Sequence, residues 1–123
     1  MKVFIVIGVL AMALGVMLGA FGAHGLKTRI EPALLAAYQT GVEYHMYHAL
    51  GLMLLGVLAF QFPAASGLQW GGWLLVAGIL LFSGSLYLMA VTGVRWLGAI
   101  TPLGGTAFII GWSWIAWSLI KSG

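Results

Sequence analysis

The chain contains no cysteine, no aspartate and no asparagine. Without cysteine there is no thiol nucleophile, no thiolate zinc or iron–sulfur site and no disulfide framework. Lack of aspartate removes the aspartyl catalysts, and lack of asparagine removes Asn-linked glycosylation. Charge is scarce too. Only 6% of the 123 residues are Asp, Glu, Lys or Arg, against about 25% in an ordinary soluble domain. Lys2, Lys27, Arg29, Arg95 and Lys121 face only Glu31 and Glu43.

What is abundant is apolar. Hydrophobic residues make up 63% of the chain, and the mean hydropathy is +1.11. A soluble chain of this length leaves roughly a third of its surface in water, and so few charges do not cover that surface. Disorder and collagen are excluded by the absence of polar tracts and of a Gly-X-Y period. The composition describes a small integral membrane protein with one domain, residues 1–123. The pI near 9.6 does not point to nucleic acid, because the cations are scattered singly instead of clustering on one face. Isolated basic residues flank membrane spans instead.

Val3 to Ala23 is an uninterrupted apolar run of 21 residues, about 31 Å long as a helix, which matches a hydrocarbon core. It is too long for the apolar region of a signal peptide. Gly8, Gly15 and Gly22 recur every seven positions, and Gly15 with Gly19 forms GxxxG, a stripe that lets another helix approach closely. After the polar connection around Lys27, Arg29 and Glu31, Pro32 suits the first turn of a helix. Leu34, Leu35, Tyr38 and Val42 follow at helical spacing. This segment reads as a short amphipathic interfacial helix that bends at Gly41 into a second span ending at Phe62-Pro63. The purely apolar part of that span, Ala49 to Phe60, is too short to cross. Counting back about 20 residues reaches Glu43, so either Glu43, His45 and His48 are drawn into the membrane or the span is not complete. Gly72 to Val91 is a third run, with Gly71, Gly78, Ser85 and Thr92 as a second small-residue stripe. Thr101-Pro102 reads as an N-cap followed by a first-turn proline. Leu103 to Ile120 then just suffices to cross, with Trp114, Trp117 and Lys121 at the interface. The expected architecture is an all-α integral membrane bundle of four transmembrane helices, plus the interfacial helix before the second. Lys27, Arg29 and Arg95 at one end, against Lys2 and Lys121 at the other, put both termini outside by the positive-inside rule.

The segment from Glu43 to His48 carries most of the chemistry. On a helix His45 and His48 share a face with Gly41, Tyr44 and His48 are neighbours, and Glu43 points away toward Tyr47 and Gln39. Ionisable residues inside a span are costly and raise a functional question by default. Three readings stand. In one, Glu43, Tyr44, His45, Tyr47 and His48 bond to one another, to Arg95 or to the third span, and stabilise a non-enzymatic membrane component that packs, assembles or interacts with lipid. In the second, His45 and His48 join His24, which sits between glycines in a tight turn, to bind a metal or haem iron. In the third, Glu43 serves a small proton-coupled transporter. Ser83 and Ser85 read as hydroxyls that satisfy helix carbonyls or bond across helices. No nucleophile–base pair, phosphate loop or metalloprotease motif is present, so no cofactor is expected beyond the metal or haem alternative. The expected partners are the bilayer and either a second copy or another membrane protein.

Several segments together resemble one family. They are Gly19-Ala20-Phe21-Gly22-Ala23-His24-Gly25-Leu26, Tyr44-His45-Met46-Tyr47-His48-Ala49-Leu50, Phe82-Ser83-Gly84-Ser85-Leu86-Tyr87, and Thr101-Pro102-Leu103-Gly104-Gly105 with Gly111-Trp112. That family is the YgdD-like membrane family, domain of unknown function 423, with transmembrane protein 256 as its eukaryotic relative. The resemblance covers essentially the whole chain. It implies a four-span protein of the bacterial plasma (inner) membrane and singles out His24, Glu43, His45, His48, Ser83, Ser85 and Pro102. It implies no activity.

Overall fold

A computed structural model describes residues 1–122. Helix α1, Lys2–Phe21, continues through a π-helical turn, Gly22–Leu26. Helix α2 spans Pro32–Gln61. Helix α3, Leu68–Gly78, passes through a second π-helical turn, Ile79–Ser83, into α4, Gly84–Thr92. A short 3-10 turn, Arg95–Ala99, leads to α5, Thr101–Ser122. No strand occurs among the described residues.

Local chemistry sets the helix ends. Pro32 opens α2, where its missing N–H costs nothing. Pro63 closes it, because the residue before a proline is pushed out of the helical region, and Phe62 sits at φ −126°, ψ 67°. After α4, Gly93 adopts φ 73°, and its N–H bonds the Met89 carbonyl at 2.9 Å. This left-handed C-terminal cap favours glycine.

Three stretches are long and apolar enough to cross a membrane: Lys2–Leu26, Leu68–Thr92 and Arg95–Ser122. Helix α2 is not among them. Its 30 residues reach about 45 Å, but Glu43, His45 and His48 interrupt its apolar sequence. No break in helical structure marks Gly41, and the segment from Pro32 is not a helix separate from the one that follows, since α2 runs unbroken to Gln61. Gly41 serves close contact with α4. A Cβ there would lie 3.1 Å from the Tyr87 ring and 3.2 Å from Leu86 Cβ.

Consecutive long helices run antiparallel. Along the α1–α2 seam Gly8 meets Ala49 and Met53, Gly15 meets Met46, and Gly22 meets Tyr38. Along the seam of α3–α4 with α5, Gly71 meets Ile115, Gly78 meets Phe108 and Gly104 meets Phe82. Helix α2 packs on α4 and joins the two pairs. The small-residue stripes therefore lie inside the molecule, apart from Thr92 at the end of the second, which is exposed. Large apolar side chains face outward instead, including Leu10, Leu80 and Ile109, which are 64%, 69% and 70% exposed. In water such a surface would aggregate, whereas in lipid it is the ordinary exterior.

Two apolar clusters form the core. Phe4, Leu52, Leu55, Leu68, Leu75, Phe108 and Ile115 fill the half nearer the 62–67 connection. Leu26, Tyr38 and Ala90 gather Leu18, Leu35, Val42 and Tyr87 at the other end. That end is closed by Arg95 and Glu31, whose Nη2 and Oε2 are 2.7 Å apart across two connections. Both groups are more than half exposed, so the pair contributes at most about 1 kcal/mol.

Candidate functional site

Between the two apolar clusters lies a layer of polar side chains, and α2 supplies its centre. His45 is only 2% exposed. Its Nε2 lies 2.7 Å from the Ala11 carbonyl of α1, and its Nδ1 lies 2.8 Å from the Tyr87 hydroxyl of α4. A carbonyl only accepts, so Nε2 carries the proton and Nδ1 accepts from Tyr87. One imidazole thus ties three helices.

His48 has the opposite tautomer. Its Nδ1–H donates to the Tyr44 carbonyl at 2.7 Å, and its Nε2 accepts the indole N–H of Trp112 from α5 at 3.0 Å. Its ring stacks on Phe108 with centroids 3.6 Å apart and planes 11° from parallel. All four imidazole nitrogens are engaged, and neither acceptor lone pair is free.

The hydroxyls complete the layer. Ser83 donates to the Gly41 carbonyl at 2.6 Å, using a carbonyl on the adjacent helix that its own π-helical turn does not supply. Ser85 donates to the Phe82 carbonyl at 2.9 Å and lies 2.6 Å from Thr101 Oγ1. Ser85 has one proton, so Thr101 is the donor in that pair. Tyr38 donates to the Leu18 carbonyl, near the end of α1. Among the described residues no buried side-chain polar atom lacks a partner. Such complete pairing is required where no water competes.

The sequence-selected residues therefore separate. His45, His48, Ser83, Ser85 and Thr101 meet in the polar layer. The Thr101 hydroxyl bonds Ser85 instead of capping α5, which begins at Thr101 itself with Pro102 as its second residue. Arg95 stays outside the layer, held by Glu31. His24 is exposed in the first π-helical turn. It lies thirteen residues beyond Ala11, the residue His45 contacts, or roughly 20 Å along the helix. Among the described residues no group of three His, Asp or Glu side chains is placed to hold a metal ion.

Glu43, Tyr44 and Tyr47 face outward. Tyr44 packs on Phe82, with ring centroids 4.6 Å apart, and borders an open cleft of about 440 Å³ with His48, Phe108 and Trp112. Tyr47 is 58% exposed and meets Tyr44 edge to face. Glu43 makes no hydrogen bond or ion pair among the described residues. With Gln39, Val42, Tyr38, Gly19 and Gly22 it lines a groove of about 260 Å³ between α1 and α2.

Sequence reasoning did not identify Tyr38, Tyr87 and Trp112 as partners in this network. Each is an aromatic with a polar tip, a sign that it seeks a hydrogen bond when buried. Spacing along one helix does not reveal a partner on another.

The family described as Protein of unknown function (DUF423) matches residues 18–105. The UPF0382 membrane protein YwdK of Bacillus subtilis (strain 168) is 53% identical over 121 residues, 98% of this chain and 98% of that protein. A UPF0382 membrane protein of Staphylococcus haemolyticus is 45% identical over 121 residues, again 98% of each chain. One of Staphylococcus epidermidis is 48% identical over 112 residues, 91% of this chain and 90% of that protein. No solved structure matches the chain.

Proposed function

This chain belongs to the DUF423 family of UPF0382 membrane proteins, and from that premise we propose that it is a four-span, non-enzymatic component of the bacterial plasma membrane. Its buried polar residues hold its own helices together, and its outer face is left for lipid and for assembly. The observation that carries this reading is the commitment of every nitrogen of His45 and His48 to a hydrogen bond inside the bundle. A metal or haem would have to displace Tyr87 or Trp112 to gain the acceptor nitrogen of His45 or His48 as a ligand.

Helix α2 is the fourth span on this reading. Its two histidines, His45 and His48, face neighbouring helices, which is how ionisable residues are tolerated at depth. Gly8 and Gly15 of α1 bracket the level of His48, so this imidazole lies near mid-height of the Val3–Ala23 run. The connections at 27–31 and 93–100 then share one side, joined by the Glu31–Arg95 pair. The balance of Lys and Arg favours that side as cytoplasmic, with both termini outside.

Because the chain has no cysteine, single reporters can be placed cleanly. A membrane-impermeant thiol reagent applied to one face of sealed vesicles is expected to label Thr28→Cys and Val94→Cys together and to spare Ser66→Cys. Labelling of positions 28 and 66 from the same side would remove α2 as a span.

A second reading, a proton-coupled carrier, is favoured by Glu43 alone. Val42 packs on Gly19 of α1, which puts Glu43 about 8 Å from mid-height at 1.5 Å per residue. On the scaffold reading, Glu43→Gln leaves the proton permeability of reconstituted liposomes unchanged from wild type. A wild-type proton flux that the variant abolishes would replace the scaffold with the carrier.

A further inference from the structure

At the end of the bundle that carries the 62–67 connection and Lys121, two cavities adjoin. The first, about 460 Å³, is lined by Ser66, Gly67, Trp70, Trp114, Trp117 and Lys121, among others. The second, about 490 Å³, is lined by Trp70, Trp73, Leu74 and Trp114. Trp70 and Trp114 form the wall between them. The Lys121 ammonium, the Ser66 hydroxyl and the indole N–H groups of Trp70, Trp114 and Trp117 make no hydrogen bond among the described residues. Trp114 Nε1 lies beside Gly67, which also lines the first cavity, for a Cβ on Gly67 would lie 3.1 Å from it.

Charge and polarity choose the occupant. This end carries Lys2 and Lys121, and both side-chain carboxylates of the sequence, Glu31 and Glu43, lie toward the opposite end. The first cavity offers donors and a cation, and among the described residues no side-chain carboxylate lines it, as suits an oxyanion. The second has almost no polar lining and continues along α3 and α5, from Trp70 to Leu74, toward the middle of the bundle. A polar, cationic head site leading inward to an apolar groove has the polarity profile of a membrane phospholipid seated at the interface.

We propose that the Trp70–Trp114–Lys121 pocket binds an anionic phospholipid, with the phosphate at Lys121 and an acyl chain along Trp73 and Leu74. This rests on the membrane component reading and gives its lipid-facing surface a ligand. The phosphate accepts from Lys121 and from the indole N–H groups, and the chain supplies the apolar contact that a free headgroup lacks.

The test is native mass spectrometry of the full-length protein in detergent, with dioleoyl phosphatidylglycerol, dioleoyl phosphatidylcholine or glycerol phosphate added. Wild type is expected to retain phosphatidylglycerol about fivefold over phosphatidylcholine, the effect of one basic residue near an anionic lipid, and to retain no glycerol phosphate. Lys121→Glu, at an exposed position that carries no packing, is expected to lose this preference, while Lys2→Glu keeps it. The proposal is overturned by equal retention of the two lipids, by a preference that survives Lys121→Glu or vanishes in Lys2→Glu, or by glycerol phosphate binding as well as the lipid. This readout needs no vesicle and no assumption about the number of spans, so its failure is distinct from failure of the thiol-labelling experiment.

Discussion

Replacing Gly104 by alanine is expected to push α5 off the α3–α4 helix and to lower stability by about 2–3 kcal/mol, toward the upper end for an over-packed contact. A Cβ at this position would fall on the backbone nitrogen of Phe82 and 2.7 Å from its Cα. Backbone inside a helix has no rotamer through which to step aside, so the helices themselves must separate. That movement would also strain the Ser85–Thr101 pair and the Ser83 bond to Gly41, because Ser83 and Ser85 both lie within three residues of Phe82. Gly84→Ala is the matched control. A Cβ there meets nothing within 4 Å, and the higher helix propensity of alanine is expected to leave stability unchanged or raise it by up to about 1 kcal/mol. Unfolding in mixed micelles, followed by far-ultraviolet circular dichroism, measures both. A Gly104→Ala protein that unfolds with wild type would show that the crossing is not where the structure puts it.

His45→Ala is expected to cost about 2–3 kcal/mol in the same assay. Two interhelical hydrogen bonds are lost, each worth about 0.6–2 kcal/mol in membrane proteins, and a cavity remains where the ring was. The larger consequence falls on Tyr87. Its hydroxyl donates to His45 Nδ1 at 2.8 Å, and without that acceptor a polar group is stranded between helices. Tyr87→Phe removes the stranded group, so the double variant should be less destabilised than the sum of the two single variants. The coupling expected from this cycle is about 1 kcal/mol. Strict additivity would mean that the imidazole and the phenol do not bond. Trp112→Phe, which removes one donor to His48 while keeping an aromatic ring, should cost less than His45→Ala.

Much of the architecture was legible because it follows from local properties of the chain. The Val3–Ala23 run, the break at Pro63 and the restart near Pro102 follow from hydropathy and proline, and need no tertiary information. The glycine period on α1 was equally readable, since a seven-residue spacing returns to one face of a helix. Gly41 shows the limit. In sequence it resembled a hinge beside a proline-led segment, because flexibility and close approach both call for glycine. Only the presence of Leu86 and Tyr87 against it selects the second. Thr101 shows the same limit, since its hydroxyl suits a cap but Ser85 lies nearer.

The candidate site divides along the same line. Sequence alone determined that the protein is helical and lipid-exposed, that His45 and His48 share a face, and that Glu43 is turned from them. These statements depend on composition and on the 3.6-residue period. What those side chains touch was decided only by the tertiary structure. A hydrogen-bond partner on another helix is set by the register and rotation of two rigid rods, and that register comes from glycine contacts spread along the entire seam. His24 stands as near to His45 in motif logic as Tyr87 does, yet packing places Tyr87 at 2.8 Å and leaves His24 exposed on the far turn of α1.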